Sequence, residues 1–190
     1  MRKLVENYTG RLAEALKLLP QKSIELFFHE VLSVWRKNGQ IFVCGNGGSA
    51  ANALHIANDL FYGVAKGKGR GIKAHALAAN QPVMTCLAND ISYGEVFSMQ
   101  LDLLANPGDM LIALSGSGNS TNILNALRKA KKIKISSVAI LGYSGGAALE
   151  MADIPIHVPV HDMQISEDVQ MIIGHALMQW LYEQNPNKDK

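Results

Sequence analysis

The sequence predicts an α/β domain built on a mostly parallel sheet, with two helices ahead of it. Three observations carry this. Apolar runs of five or six residues alternate with helical stretches between residues 40 and 160, as in strands joined by crossover helices. Two of those runs, Ile41–Cys44 and Met110–Leu114, end directly in small-residue loops, GNGGS at 45–49 and SGSGNS at 115–120. Apolar positions at helical spacing fill the chain before the first strand.

Leu4, Tyr8, Leu12, Leu16 and Leu19 mark a helix over residues 2–19, stopped by Pro20. Ser23 reads as the cap of a second helix whose stripe is Ile24, Phe27, Phe28, Val31, Val34 and Trp35, and Asn38-Gly39 ends it. The pair suits plain packing or an oligomerisation arm, in which Leu12, Leu16, Phe27 and Val31 would partly face other subunits. The strand Gln40–Cys44 has the β-branched and aromatic content of a buried strand. The helix Ser49–Tyr62 follows the glycine loop, and the Lys/Gly-rich segment Gly63–Gly71 reads as a mobile surface loop.

Ile72–Leu77 is a short strand, Pro82–Ala88 a helix turn or apolar segment, and Asn89-Asp90 and Tyr93-Gly94 read as punctuation before a helix over Val96–Leu104. Pro107-Gly108-Asp109 turns into the strand Met110–Leu114, and Thr121–Lys132 is the helix after the second loop. Ser136–Leu141 and Ile154–Val158 are further strands around a short helix, Ala147–Ala152; Glu167–Tyr182 is a closing helix before a polar tail expected to fray. With no linker or repeat, residues 1–190 read as one domain, a helical arm over 1–38 and an α/β core over 39–185.

Composition excludes more than it assigns. Hydrophobic residues at 48% and charged residues at 18% describe an ordinary globular protein with enough apolar surplus for a subunit interface. A formal charge of +2 gives no footprint for nucleic acid, and the basic clusters Lys66–Lys73 and Arg128–Lys134 read as a solvated loop and a helix end. Cys44 and Cys86 lack CxxC spacing and are expected as buried thiols in a reducing compartment. No leader pattern opens the chain and no apolar run reaches a membrane span, so no membrane partner and a cytoplasmic location are expected.

Three glycines among residues 45–48 let the backbone approach a ligand. A helix starting near Ser49 would aim its N–H groups at an anion, and the Ser49 hydroxyl would join them; otherwise Ser49 is the N-cap of a tight turn. The spacing fits neither the dinucleotide fingerprint nor the P-loop. The serines and glycines of 115–120, also opening a helix, suit a phosphate monoester. Ligands of such sheets bind beyond the carboxyl ends of the strands, where both loops lie. His55 and Asp59, four residues apart, share a helix face, and Glu167 and His175 are eight apart on the last helix. Two imidazoles and two carboxylates would make a four-coordinate zinc site, with Asp168 or Gln170 able to replace Glu167. Solvated charges, a cap and a core histidine also explain each pair.

The segments CGNGGSAANALHIAND, LANDISYGEVF and GDMLIALSGSGNSTNIL, with the closing helix that carries Glu167 and His175, together resemble the phosphoheptose isomerases of the sugar isomerase (SIS) domain family. The resemblance covers nearly the whole chain. It implies a flavodoxin-like three-layer sandwich, a homotetramer, one Zn2+ per subunit, and conversion of sedoheptulose 7-phosphate to D-glycero-D-manno-heptose 7-phosphate. It implies substrate contacts at Asn46, Gly47, Gly48, Ser49, Asp59, Asn89, Asp90, Ser115, Gly116, Ser117, Ser120 and Glu167, and metal and acid/base positions at His55, Asp59, Glu167 and His175. On this reading Asp59, or failing it Glu167, is the base and His175 the acid, while Asp90 binds a sugar hydroxyl.

Three positions depart from the family pattern. The family has Glu where this chain has Asp59, Gln where it has Glu167, and Thr where it has Gly116. With both carboxylates ionised, a divalent ion at the four positions would be fully neutralised. A non-catalytic relative of the replication-initiator-associating type and a sugar-phosphate-binding regulator are the rival readings; retention of Asp59 and His175 favours an enzyme.

Overall fold

In the computed structural model residues 1–186 are described; the end of the polar tail expected to fray, residues 187–190, lies outside them. Helices α1 (Arg2–Leu16) and α2 (Gln21–Arg36) come first. α1 stops at Leu16, short of the expected Leu19, and Pro20 stands at the N-cap of α2, so Ser23 lies inside the helix and is not its cap. Phe27 and Val31 are 1% and 0% exposed, inside the subunit's own core rather than facing another subunit. Leu12 and Leu16 pack against the same core, leaving Met1, Leu4, Val5, Leu18 and Leu26 as the exposed large apolar residues of this arm.

Five strands, β1 (Gln40–Gly45), β2 (Lys73–Ala76), β3 (Met110–Ser115), β4 (Ser136–Leu141) and β5 (Ile154–His157), form one parallel sheet in the order β2-β1-β3-β4-β5. The chain steps from β1 outward to β2, then returns to the other side of β1 to form β3. That reversal makes β1/β3 the switch point of a flavodoxin-like sheet. Gly45 is paired in register with Leu114, so the two small-residue loops leave neighbouring strands at one end of the sheet.

Alternate residues of β1 serve opposite faces. Ile41 and Val43 join a core with Val31, Ile56 and Leu177, while Phe42 and Cys44 join one with Phe97, Leu111 and Leu127. Burial on both faces explains the unbroken apolar strands. The first face is covered by α2, α3 (Gly48–Asn58) and α8 (Met163–Glu183). The second is covered by α5 (Ser98–Leu104), α6 (Thr121–Ile133) and the short α7 (Ala148–Met151). Among the described residues, no helix is long and apolar enough to cross a membrane.

Three local expectations change. Residues 81–90 form a full helix, α4 (Gln81–Asp90), so Asn89 and Asp90 are its last residues rather than a turn. Cys86, on α4, is exposed and its thiol donates to Asp90 Oδ2 (3.3 Å); only Cys44 is buried. The Lys/Gly segment is tied down: Val64 and Ala65 are buried, Asn185 donates to the carbonyls of Val64 and Lys68, and Trp35 Nε1 donates to that of Arg70.

Helices α3 and α8 lie side by side and run in the same direction. Asn52 Nδ2 donates to the Glu167 carbonyl and to Gln170 Oε1, both at 3.0 Å. Farther along, Ile56 faces Gly174, and Gly63 faces Met178. This seam starts at the glycine loop and carries the candidate metal ligands.

Candidate active site

The glycine loop and the start of α3 form one wall of a small cavity. Gly47 is the N-cap residue with φ +56°, a left-handed conformation that suits glycine. Gly48 opens the helix, and a Cβ there would run into the Glu167 carboxylate. Ser49 is therefore the second helical residue, buried, and not the cap.

The other wall is the loop after β3. Ser115 Oγ accepts from Gly118 N (3.0 Å) and Ser117 Oγ from Asn119 N (3.3 Å), which curl the loop toward α6. Ser120 is the N-cap of α6, yet its hydroxyl makes no capping bond and stays available to a ligand. Asn46, Ser49, Ser115, Gly116, Ser117, Ser120 and Glu167 line a cavity of about 80 Å³, together with Leu114 and Met163. Two helix N-termini and four hydroxyls facing so small a space suit a phosphate group. A wider groove of about 680 Å³ between α1 and the loop before α8 is mostly apolar and is lined by none of these residues.

Asn46 is fixed by partners that no motif singles out. Its Oδ1 accepts from the Tyr93 hydroxyl (2.9 Å) and from Asn122 Nδ2 (2.8 Å), and its Nδ2 donates to Asn122 Oδ1 (2.9 Å). Asn122 is buried, so this reciprocal amide pair locks one loop to the other. The only sequence signal was a polar residue on the apolar side of a helix start.

Along the seam lies the second cluster, His55, Asp59 and His175. His55 and His175 approach through their Nε2 atoms at 3.2 Å, and these lie 3.6 and 3.9 Å from Asp59 Oδ2. Asp59 opens a π-helical turn, Asp59–Gly63, that continues α3 with a wider winding. With each ring's proton on Nδ1, both Nε2 lone pairs are open to a cation. A triangle with sides of 3.2, 3.6 and 3.9 Å has a circumradius of about 2.1 Å, within the range of zinc–ligand bonds. The three residues therefore fit a divalent metal. Both imidazoles are about half exposed, against 15% for the Asp59 side chain, which leaves an open coordination side.

Glu167 is not in this cluster. Eight residues along an α-helix set it about 12 Å from His175 and about 80° around the axis. Its carboxylate closes the serine cavity instead. Of the alternatives, Asp168 accepts the Tyr8 hydroxyl (2.6 Å), a bond that pushes the Tyr8 pKa up to about 12, and Gln170 is buried against Asn52. Asn89 and Asp90 do not reach the cavity of their own chain. The Asn89 amide donates to Asp90 Oδ1 (2.8 Å) and holds that carboxyl below its ordinary range.

Comparison with known proteins gives this geometry a context. The SIS domain matches residues 6–142. The chain belongs to the SIS domain family. It is 40% identical over 144 residues to a phosphoheptose isomerase of Aliarcobacter butzleri, covering 75% of this chain and 76% of that one. Similarity to the phosphoheptose isomerase of Synechocystis sp. is 34% over 177 residues, covering 93% and 91%. The structure of a phosphoheptose isomerase from Francisella tularensis superposes with a TM-score of 0.88 at 26% identity, covering 96% of this chain and 98% of that one. Within the SIS domain family the chain stands among the phosphoheptose isomerases, and it is an isomerase.

Against that family pattern, two of the departures have a structural setting. A Cβ at Gly116 would meet the Met163 sulfur at 2.6 Å, so this side chain occupies the place of a threonine. Because Glu167 lies in the serine cavity, only one carboxylate, Asp59, is in the metal cluster. A divalent ion held by those three residues alone would keep one positive charge, whereas Glu167 as a fourth ligand would neutralise it.

Proposed function

We propose that this SIS domain isomerase converts sedoheptulose 7-phosphate to D-glycero-D-manno-heptose 7-phosphate, with the phosphate in the serine cavity and one Zn2+ held by His55, Asp59 and His175. The observation that carries the reading is the layout of the α3–α8 seam. The anion cavity lies at its N-terminal end, and the metal cluster lies about 12 Å farther along α8, room to keep the two ends of a sugar phosphate apart. The curated relatives bear the name phosphoheptose isomerase, which supports the seven-carbon substrate.

Aldose–ketose isomerisation moves a proton from the carbon beside the carbonyl to the carbonyl carbon itself, while a proton passes between the oxygens of the same two carbons. Ser117, Ser120 and the start of α6 hold the phosphate, and Asn46 fixes the sugar's position. Asp59 takes the proton from the carbon beside the carbonyl and returns it to the former carbonyl carbon. His175, whose Nε2 belongs to the metal cluster, exchanges the proton of the substrate oxygen through Nδ1. The zinc ion supplies Lewis-acid polarisation of the substrate oxygens. We place the enzyme in the cytoplasm, as its two free thiols suit, and as a homotetramer. In the tetramer, α4, which buries none of its residues within the chain, would bring Asn89 and Asp90 to a site across a subunit boundary.

The test is incubation of the purified protein with sedoheptulose 7-phosphate, followed by NMR for the aldose. Turnover is expected; binding without turnover would move the reading to a sugar-phosphate-binding regulator. The same assay assigns Glu167. Its carboxylate shares the cavity with the phosphate and repels it, so Glu167→Gln is expected to lower KM and leave kcat equal or higher. If that variant keeps its metal and loses turnover, Glu167 is the base and Asp59 only a ligand.

A further inference from the structure

We propose that Gly174 is a positioning residue whose bare α-carbon sets the separation of α3 and α8 at which His175 reaches His55 and Asp59. The inference rests on the reading of those three residues as metal ligands. Gly174 immediately precedes His175, and Ile56, which it faces, immediately follows His55. A Cβ at Gly174 would lie 2.7 Å from Ile56 Cγ1 and 3.0 Å from its Cδ1. Carbon contacts are comfortable only from about 3.5 Å, so an added methyl group demands a retreat of several tenths of an ångström or more.

Neither partner retreats easily. Ile56 is 3% exposed and packed in the core, where little free space remains. Nearer the start of the helices, the Asn52 bonds to Glu167 and Gln170 pin the seam, so the strain falls on the segment that carries the histidines. Metal coordination tolerates only about 0.2 Å of error in each ligand distance. The other glycines of the seam are not comparable: a Cβ at Gly63 would meet the flexible Met178 side chain at 3.3 Å, and one at Gly48 would meet the Glu167 carboxylate at the cavity end, away from the histidines. Glycine is also a poorer helix former than alanine, so α8 taken alone would be better served by alanine at this position. Close approach at the metal cluster accounts for the glycine.

The experiment uses the full chain, cobalt(II) as a spectroscopic probe of the site, and thermal melting of the metal-free protein. Gly174→Ala is expected to weaken cobalt binding about tenfold or more and to alter its visible spectrum. Combining it with Ile56→Ala removes the two offending carbons, so the double variant is expected to regain cobalt affinity while melting at a lower temperature than wild type. Ile56→Val with Gly174→Ala keeps the nearer carbon and is expected to stay weak. The opposite movement of affinity and stability separates positioning from mere packing, and the two doubles can be compared even if Gly174→Ala alone folds poorly. Wild-type affinity in Gly174→Ala, or equal affinities in the two doubles, would overturn the proposal. His175→Ala should bind no cobalt; if it binds like wild type, the metal reading fails with it.

Discussion

Replacing His175 with alanine is expected to abolish both isomerisation and stoichiometric metal binding. Among the described residues the cluster has three donors, and His175 is the one supplied by α8. Without it, a metal would be left with His55 and Asp59, one turn apart on a single helical segment, too few ligands for a stable zinc site. The exchange of the substrate oxygen's proton would also be lost, and general acid–base catalysis alone is worth about 10²–10⁴ in rate. The fold should survive, because the side chain is 47% exposed and its polar and ring contacts are with His55 and Asp59 of the same cluster. Metal analysis, kcat/KM and the melting temperature check the three parts separately. A variant that keeps its zinc and its rate would remove His175 from the site.

The second large effect is expected at the phosphate. Ser117 and Ser120 are both partly accessible in the serine cavity, and Ser120 leaves its hydroxyl outside the helix cap. A hydrogen bond to a charged group is worth about 1.5–3 kcal/mol, so the double change to alanine should raise KM about a hundredfold or more. The protein loses only one long bond, from Asn119 N to Ser117 Oγ at 3.3 Å, so melting should barely shift. Steady-state kinetics on the sugar phosphate decide it. An unchanged KM would mean that the phosphate lies elsewhere.

Strands were the most legible part of the chain, because burial on both faces leaves continuous apolar runs with few alternative readings. β4 has the expected bounds, and β1 and β3 each extend one residue further, into Gly45 and Ser115. Helix starts were less legible. Ser23 and Ser49 are good capping residues by chemistry, but Pro20 and the left-handed Gly47 set the two starts earlier in the chain. The stripe of α2 could not say whose core it fills: Phe27 and Val31 show the same periodicity whether they meet this subunit or another.

At the site, sequence spacing linked His55 to Asp59 but could not show that the backbone widens into a π-turn there. It linked Glu167 to His175 by side of the helix, whereas the length and winding of α8 carry one to the serine cavity and the other to the metal cluster. The buried pair Asn46–Asn122 joins residues far apart in the chain and depended on the order of the sheet. So did the close approach of Ile56 and Gly174.

Most direct for the account as a whole is the conversion of sedoheptulose 7-phosphate by protein stripped with a chelator and then given back zinc. The stripped protein should still bind the sugar phosphate through its serine cavity without converting it. One equivalent of zinc per chain should restore formation of the aldose, in wild type and not in His175→Ala. Full activity in the stripped protein, or no conversion at any zinc level, would contradict it.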